Sequence, residues 1–396
     1  MERNMKKTFF LFLLFPLFFS CNRKVSGSSN DQACLVPADT ISFLIDDSTY
    51  YESKAMFQFE DNGREYLFFQ NNRNRGASRL IIFDIEKECL YKSVPLYKEG
   101  PNGISSVLGG HPVDMEHFLI TTNSPFFYMV DDAGKILFKS QPLYQGHGQF
   151  GRFATTFFLS YHASPMILRD SLLYFPQTQI GYPHKKDTWS TSNLFSYVNL
   201  QTGQMNTTQF CYPSIFNKEE ITGKLSYENS HSYADTGKEV AVSFHASDSI
   251  YVSSDFQHVR AYNARSRYFP HMHPEPYDAT IDLLVRLRKE ANEPSYHHLL
   301  YDKYRNVFYR FARMPYEYPA DRSPMEEDSG REFSIIILND KYEIIGETKF
   351  PGDTYVYRLW FIGKDGLYLS MNNLKNPSFD ENRLMFRRLQ LESKKQ

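Results

Sequence analysis

From Ile41 onward, apolar residues come in short runs of strand length, many alternating with polar ones and bounded by Gly, Asn and Asp turn signals. The runs fall into groups of four: 55–59, 65–70, 79–85 and 89–96, then 105–111, 117–122, 126–130 and 135–143. A third group is 156–162, 171–176, 193–200 and 204–212, and a fourth is 239–245, 249–253, 258–263 and 265–269. The fifth is 295–301, 306–313, 332–338 and 343–350. A last group, 355–361, 366–371 and 383–391, has only three runs, and the lone N-terminal run Ile41–Ile45 supplies the missing strand. This is the pattern of an all-β, six-bladed β-propeller closed by an N-terminal strand, a device that removes open sheet edges. One helix is expected, Asp278 to Ala291, in an inter-blade loop, with Asp278 or Thr280 as cap and Ile281, Leu284 and Val285 packing on the propeller.

An internal repeat accompanies the strands. Leu159-Ser-Tyr-His-Ala-Ser164 returns as Val242-Ser-Phe-His-Ala-Ser247, with fainter copies at Pro294-Ser-Tyr-His297 and Tyr355-Val-Tyr-Arg358. Recurrence at such intervals marks one supersecondary unit used several times. Each copy reads as the innermost strand of a blade. One position per blade then holds Met56, His111, His162, His245, His297 and Arg358.

With strands lettered A to D from channel to rim, antiparallel order puts the A–B and C–D turns on one face and the B–C and D–A connections on the other. The long loops, 177–192, 213–238, 270–294, 314–331 and 372–382, all fall on the B–C/D–A face. Binding residues tend to gather on loops at one end of a rigid scaffold. That face is therefore expected to carry the ligand or partner contacts.

Three readings of the repeated histidines stay open. The side chains could satisfy themselves structurally between blades. They could bind an anionic or polar ligand at the channel mouth, with Arg358 offering a fork to a carboxylate or sulfate. Or His162, His245 and His297 could hold a divalent metal. Tyr182, His184 and Trp189 form a second candidate patch for sugar stacking or anions. His271-Met-His273 has a ligand-like spacing in a Pro-rich loop, and Glu326-Glu-Asp328 lacks the order of a calcium loop. No P-loop, GxSxG or dinucleotide fingerprint occurs.

The N-terminus adds a compartment. Lys6 and Lys7 precede an apolar run, Thr8 to Phe19, too short to span a membrane comfortably. Ser20-Cys21 follows, similar to a bacterial lipoprotein signal with Cys21 as the lipidated residue. The expected organisation is signal peptide 1–20, polar tether 21–40 and propeller 41–396. Three further cysteines, Cys34, Cys89 and Cys211, allow at most one bridge, and Cys89 and Cys211 read as small buried hydrophobes. With 44 Lys+Arg against 46 Asp+Glu, the net charge of -2 gives no overall basic excess of the kind that marks nucleic-acid binding.

The lipoprotein-like start, Lys98-Glu-Gly-Pro-Asn-Gly-Ile104 and the Ser-Tyr/Phe-His stretches resemble Bacteroides-type lipoproteins of the domain-of-unknown-function family numbered 4221. The resemblance implies a propeller in the cell envelope. That family carries no established activity, so no catalytic residue transfers. The expected protein is a lipid-anchored envelope propeller, at the outer membrane on either its periplasmic or outer side. It would bind a protein, peptide or glycan partner or a small ligand. The alternative is a metal-dependent lyase or hydrolase acting on carbohydrate or peptide through the channel-mouth histidines.

Overall fold

The structure, a computed structural model, describes residues 26–27, 31–51, 53, 55–71, 78–122, 126–140, 160–177, 193–216, 231–272, 281–317 and 331–393. Two N-terminal strands, β1 (Ser26–Gly27) and β2 (Ala33–Leu44), precede the blades. Blade one is β3 (Met56–Asp61), β4 (Arg64–Asn71), β5 (Arg79–Asp84) and β6 (Cys89–Pro95), and blade two is β7 (Val107–Pro112), β8 (His117–Thr122), β9 (Phe127–Asp131) and β10 (Ile136–Lys139). Blade three is β11 (Ile167–Arg169), β12 (Leu172–Pro176), β13 (Phe195–Asn199) and β14 (Met205–Thr207). Blade four is β15 (His231–Asp235), β16 (Val240–Phe244), β17 (Ser249–Ser253) and β18 (Arg260–Asn263). After α1 (Leu283–Asn292), blade five is β19 (Ser295–Asp302), β20 (Val307–Arg313), β21 (Phe333–Leu338) and β22 (Ile344–Phe350). Blade six is β23 (Val356–Gly363), β24 (Gly366–Ser370) and β25 (Arg383–Ser393), completed on its outer edge by β2.

Six four-strand units in a ring are thus what the hydrophobic pattern predicts. First strands of neighbouring blades touch, β3 with β7 and β23, and β15 with β19, so they line the centre. Each blade is covered on both faces by its neighbours, which is why a middle strand such as β21, Phe-Ser-Ile-Ile-Ile-Leu, is buried at every position instead of alternating. Between blades six and one, Phe43 and Phe386 pack with Phe69 and Phe83. The Phe43 and Phe83 ring centroids lie 4.8 Å apart.

The closing strand is longer than expected. β2 pairs with β25 from Ala33↔Ser393 to Leu44↔Arg383, so residues 33–40 belong to the ring, and Ser26 pairs with Lys349 on the edge of blade five. Gly346 permits this approach, because a Cβ there would meet the Ala33 carbonyl oxygen at 2.0 Å.

Two blades differ from the expected strand assignment. The inner strand of blade three is Ile167–Arg169, not 156–162. The inner strand of blade four is His231–Asp235, inside what reads as a polar loop, so 239–245 becomes the second strand and 265–269 is no strand. The reason is tertiary. The polar His231, Ser232 and Asp235 interleave with buried Tyr233 and Ala234, and the Ser232 hydroxyl accepts from Leu299 N of blade five at 2.9 Å.

The helix begins at Leu283, with the Asp282 carboxylate accepting from Leu284 N at 2.8 Å. The three apolar residues expected to pack on the propeller do not. Ile281, Leu284 and Val285 are 41%, 57% and 60% exposed. The Lys98–Ile104 loop clasps blade two: the Asn102 side chain accepts from Ile136 N at 3.1 Å, and Ile104 N donates to the Tyr97 carbonyl at 2.7 Å. Cys89 and Cys211 are free thiols, and Cys89 is exposed where a buried residue was expected. Among the described residues no helix is long and apolar enough to cross a membrane.

Candidate functional site

Loop lengths divide the two faces. Among A–B and C–D links the longest is 254–259, whereas B–C and D–A connections include 140–166, 208–230, 264–294 and 314–332. The candidate residues at the channel come to the second face by two devices.

The first device is a turn. Tyr161-His-Ala-Ser164 and Phe244-His-Ala-Ser247 are the same local structure, a tight turn with His at the first central position. Ser164 N donates to Tyr161 O at 3.0 Å, and Ser247 N to Phe244 O at 3.4 Å. The repeat is therefore a turn motif, one copy in the D–A connection before blade three and one in the B–C turn of blade four. Neither is an inner strand. The Nε2 of His162 is bonded to the Arg358 carbonyl oxygen. A carbonyl only accepts, so that nitrogen carries the proton.

The second device is the β-bulge. On a regular strand successive side chains point to opposite faces. In β19 the register slips between Tyr296 and Leu299, and in β23 between Val356 and Trp360. Bulges re-aim side chains. Here both His297 and His298 come within ring contact of Tyr357, at centroid distances of 5.3 and 6.4 Å. His297 lies 4.7 Å from His245, while His298 lies 5.6 Å from both His162 and Trp360. His162 lies 5.1 Å from Trp360.

Burial governs the charge state of this cluster. It drives the His245 imidazole down to about 3, with Arg313, His231 and Arg310 adding to the effect. Burial, then His245 and Arg313, hold His297 well below the usual imidazole range, and burial, then His162, do the same for His298. Among the described residues the charges that act most on these rings are arginines and other histidines, and none is a carboxylate. At neutral pH His245, His297 and His298 are neutral rings in a positive field. Among the described residues no three His, Cys, Asp or Glu side chains are placed to share a metal ion, so the expected His162, His245 and His297 metal ring is not assembled. They arrive from a turn, another turn and a bulge, and not from equivalent positions of three inner strands.

The other candidates separate. His111 sits at the A–B end of β7, away from this cluster, packed on Phe57 at 4.7 Å and driven down to about 4 by burial. His271 is held by Asp248 and Arg265. Tyr182, His184, Trp189, His273, Glu326, Asp328 and Cys21 lie outside the described residues.

The family model for the domain of unknown function DUF4221 matches residues 32–349. The chain belongs to this family. The DUF4221 chain is also similar to a crystal structure of a DUF4221 member from Bacteroides vulgatus, at 38% identity and a TM-score of 0.84, covering 92% of this chain and 100% of that one. BamB from Moraxella catarrhalis aligns at 8% identity and a TM-score of 0.36, over 90% of this chain and 98% of its own. Virginiamycin B lyase from Staphylococcus aureus aligns at 8% and 0.40, over 88% and 99%. Comparison with curated proteins finds no match.

Sequence reasoning passed over His298, Trp360, Tyr357, Arg313 and Arg331 of this DUF4221 protein. A signal existed for two of them. His297-His298 is a pair of adjacent polar rings between Tyr296 and the apolar Leu299-Leu300, and Trp360 is one of only two tryptophans.

Proposed function

We propose that this DUF4221 protein is a lipid-anchored, cell-envelope β-propeller that binds a ligand, or a protein, peptide or glycan partner, on the face built by its D–A and B–C connections. The observation that carries this reading is placement. His162, His245, His297 and Arg358 all come from the end of the ring that bears the long connections, the first two on tight turns and the other two on inner strands. Lys6-Lys7, the apolar Thr8–Phe19 and Ser20-Cys21 support the anchor.

Hydrogen exchange on the protein in intact envelopes, compared with the purified protein, tests the face. Protection is expected in 245–248, 314–317 and 371–382 and not in the opposite turns 62–63, 113–116 and 303–306. Protection confined to the opposite turns defeats the reading. Cys21→Ala is expected to move the protein from the membrane to the soluble fraction; unchanged membrane association defeats the anchor.

A further inference from the structure

We propose that the long-loop end of the channel binds a small molecule bearing a carboxylate on a flat ring, with Trp360 and His298 donating to the carboxylate. This deepens the reading above and rests on it.

The starting observation is two unsatisfied side chains. His298 is 7% exposed, and among the described residues neither ring nitrogen has a hydrogen-bond partner. Trp360 is 8% exposed, and its indole Nε1 has none either. Buried polar groups left unpaired are costly and uncommon in native folds. Here two stand side by side, ring centroids 5.6 Å apart, each in an inner strand that bulges.

The surroundings select the ligand. An indole N–H only donates, and a neutral imidazole has one N–H to give. A carboxylate only accepts, and its two oxygens can take one bond from each donor. Arginines 313, 331 and 358 set a positive field on the histidines, which opposes a cation and favours an anion. An indole cannot ligate a metal. The walls are rings: Phe311 lies 5.7 Å from His298 and Tyr357 lies 6.4 Å from it, surfaces on which a flat ring packs edge or face. His162, His297 and Tyr357 are part-exposed, so the cluster opens to solvent on that side.

Benzoate is the probe. The two tryptophans give two indole N–H resonances, and Trp360→Phe assigns one of them. Benzoate is expected to shift the Trp360 resonance. Calorimetry is expected to show at least about tenfold weaker binding in His298→Phe and in Trp360→Phe. The melting midpoint of His298→Phe should not fall, because Phe keeps a ring and removes the unpaired nitrogens, whereas Trp360→Phe should lower it modestly through the smaller ring. Acetate, which lacks the ring, and benzyl alcohol, which lacks the charge, are each expected to bind more weakly by about the same factor. An unmoved Trp360 resonance, benzoate affinity retained in His298→Phe, or acetate or benzyl alcohol binding as well as benzoate overturns the proposal. Each such failure leaves the face reading intact, because envelope exchange reports on the connections and not on the channel rings.

Discussion

Lowering the pH through the histidine range should destabilise this protein substantially before most of its carboxylates titrate. His231 and His245 are 7% and 9% exposed, and burial drives them from 6.5 to about 4 and about 3. Their folded values lie below the unfolded one. The stability they are associated with is therefore complete above about pH 6.5 and is lost as pH falls toward the folded values, because only the unfolded chain takes up the protons. At about pH 5.5 each unfolded-state imidazole contributes ~1.4 kcal/mol to unfolding, so the pair contributes ~3 kcal/mol, and at about pH 4.5 ~5 kcal/mol. His298 acts in the same direction. Against a typical domain stability of ~5–15 kcal/mol this is a large fraction. His117, raised by the Asp114 carboxylate, works the other way, but it is exposed and screened. Asp46 and Glu60 are held below the usual carboxylate range by Arg79 and Lys303, so they stay ionised across the window. The assay is urea unfolding at constant ionic strength, at about pH 7.5 and about pH 5.5, with the imidazole resonances followed in parallel. A free energy unchanged to within ~1 kcal/mol, or buried imidazoles that titrate near 6.5 in the folded state, would refute the reasoning.

Three further outcomes are expected. Arg310 is fully buried, stacks on Tyr296 at 3.5 Å and donates to Ser243 Oγ and to the carbonyls of Phe244, Ser247, Asp248 and Ala264 at 2.5–3.4 Å. Arg310→Met orphans those acceptors and should cost ~3–5 kcal/mol in chemical denaturation, with Arg310→Lys not restoring it, since one ammonium cannot reach five acceptors. Removing residues 33–44 opens blade six along β25 and should convert the folded protein to aggregate in size-exclusion chromatography. A thiol reagent should modify exposed Cys89 much faster than Cys211, whose thiol burial pushes up; equal rates would contradict the placement of Cys211.

The hydrophobic pattern alone determined the class of fold, the count of blades and the closure by an N-terminal strand. Those follow from strand-length apolar runs and turn residues, which are local, and from the arithmetic of a missing strand. The pattern also placed the long connections on one face, because antiparallel order leaves no choice. It did not place the inner strands of blades three and four. His231-Ser-Tyr-Ala-Asp235 is half polar, and it becomes a strand by pairing along β16 and by taking the Leu299 N bond of blade five on its Ser232 hydroxyl. Nor could spacing show that Tyr161-His-Ala-Ser164 and Phe244-His-Ala-Ser247 are turns: a short apolar run with one polar residue reads alike as either. The channel cluster was decided by tertiary structure. A bulge depends on the partner strand as much as on its own residues, and two of them bring His297, His298, Tyr357 and Trp360 to one place. The histidines were legible as a set. Which of them meet, and that two buried rings are left with nothing to bond, follows only from the packing of blades around the centre.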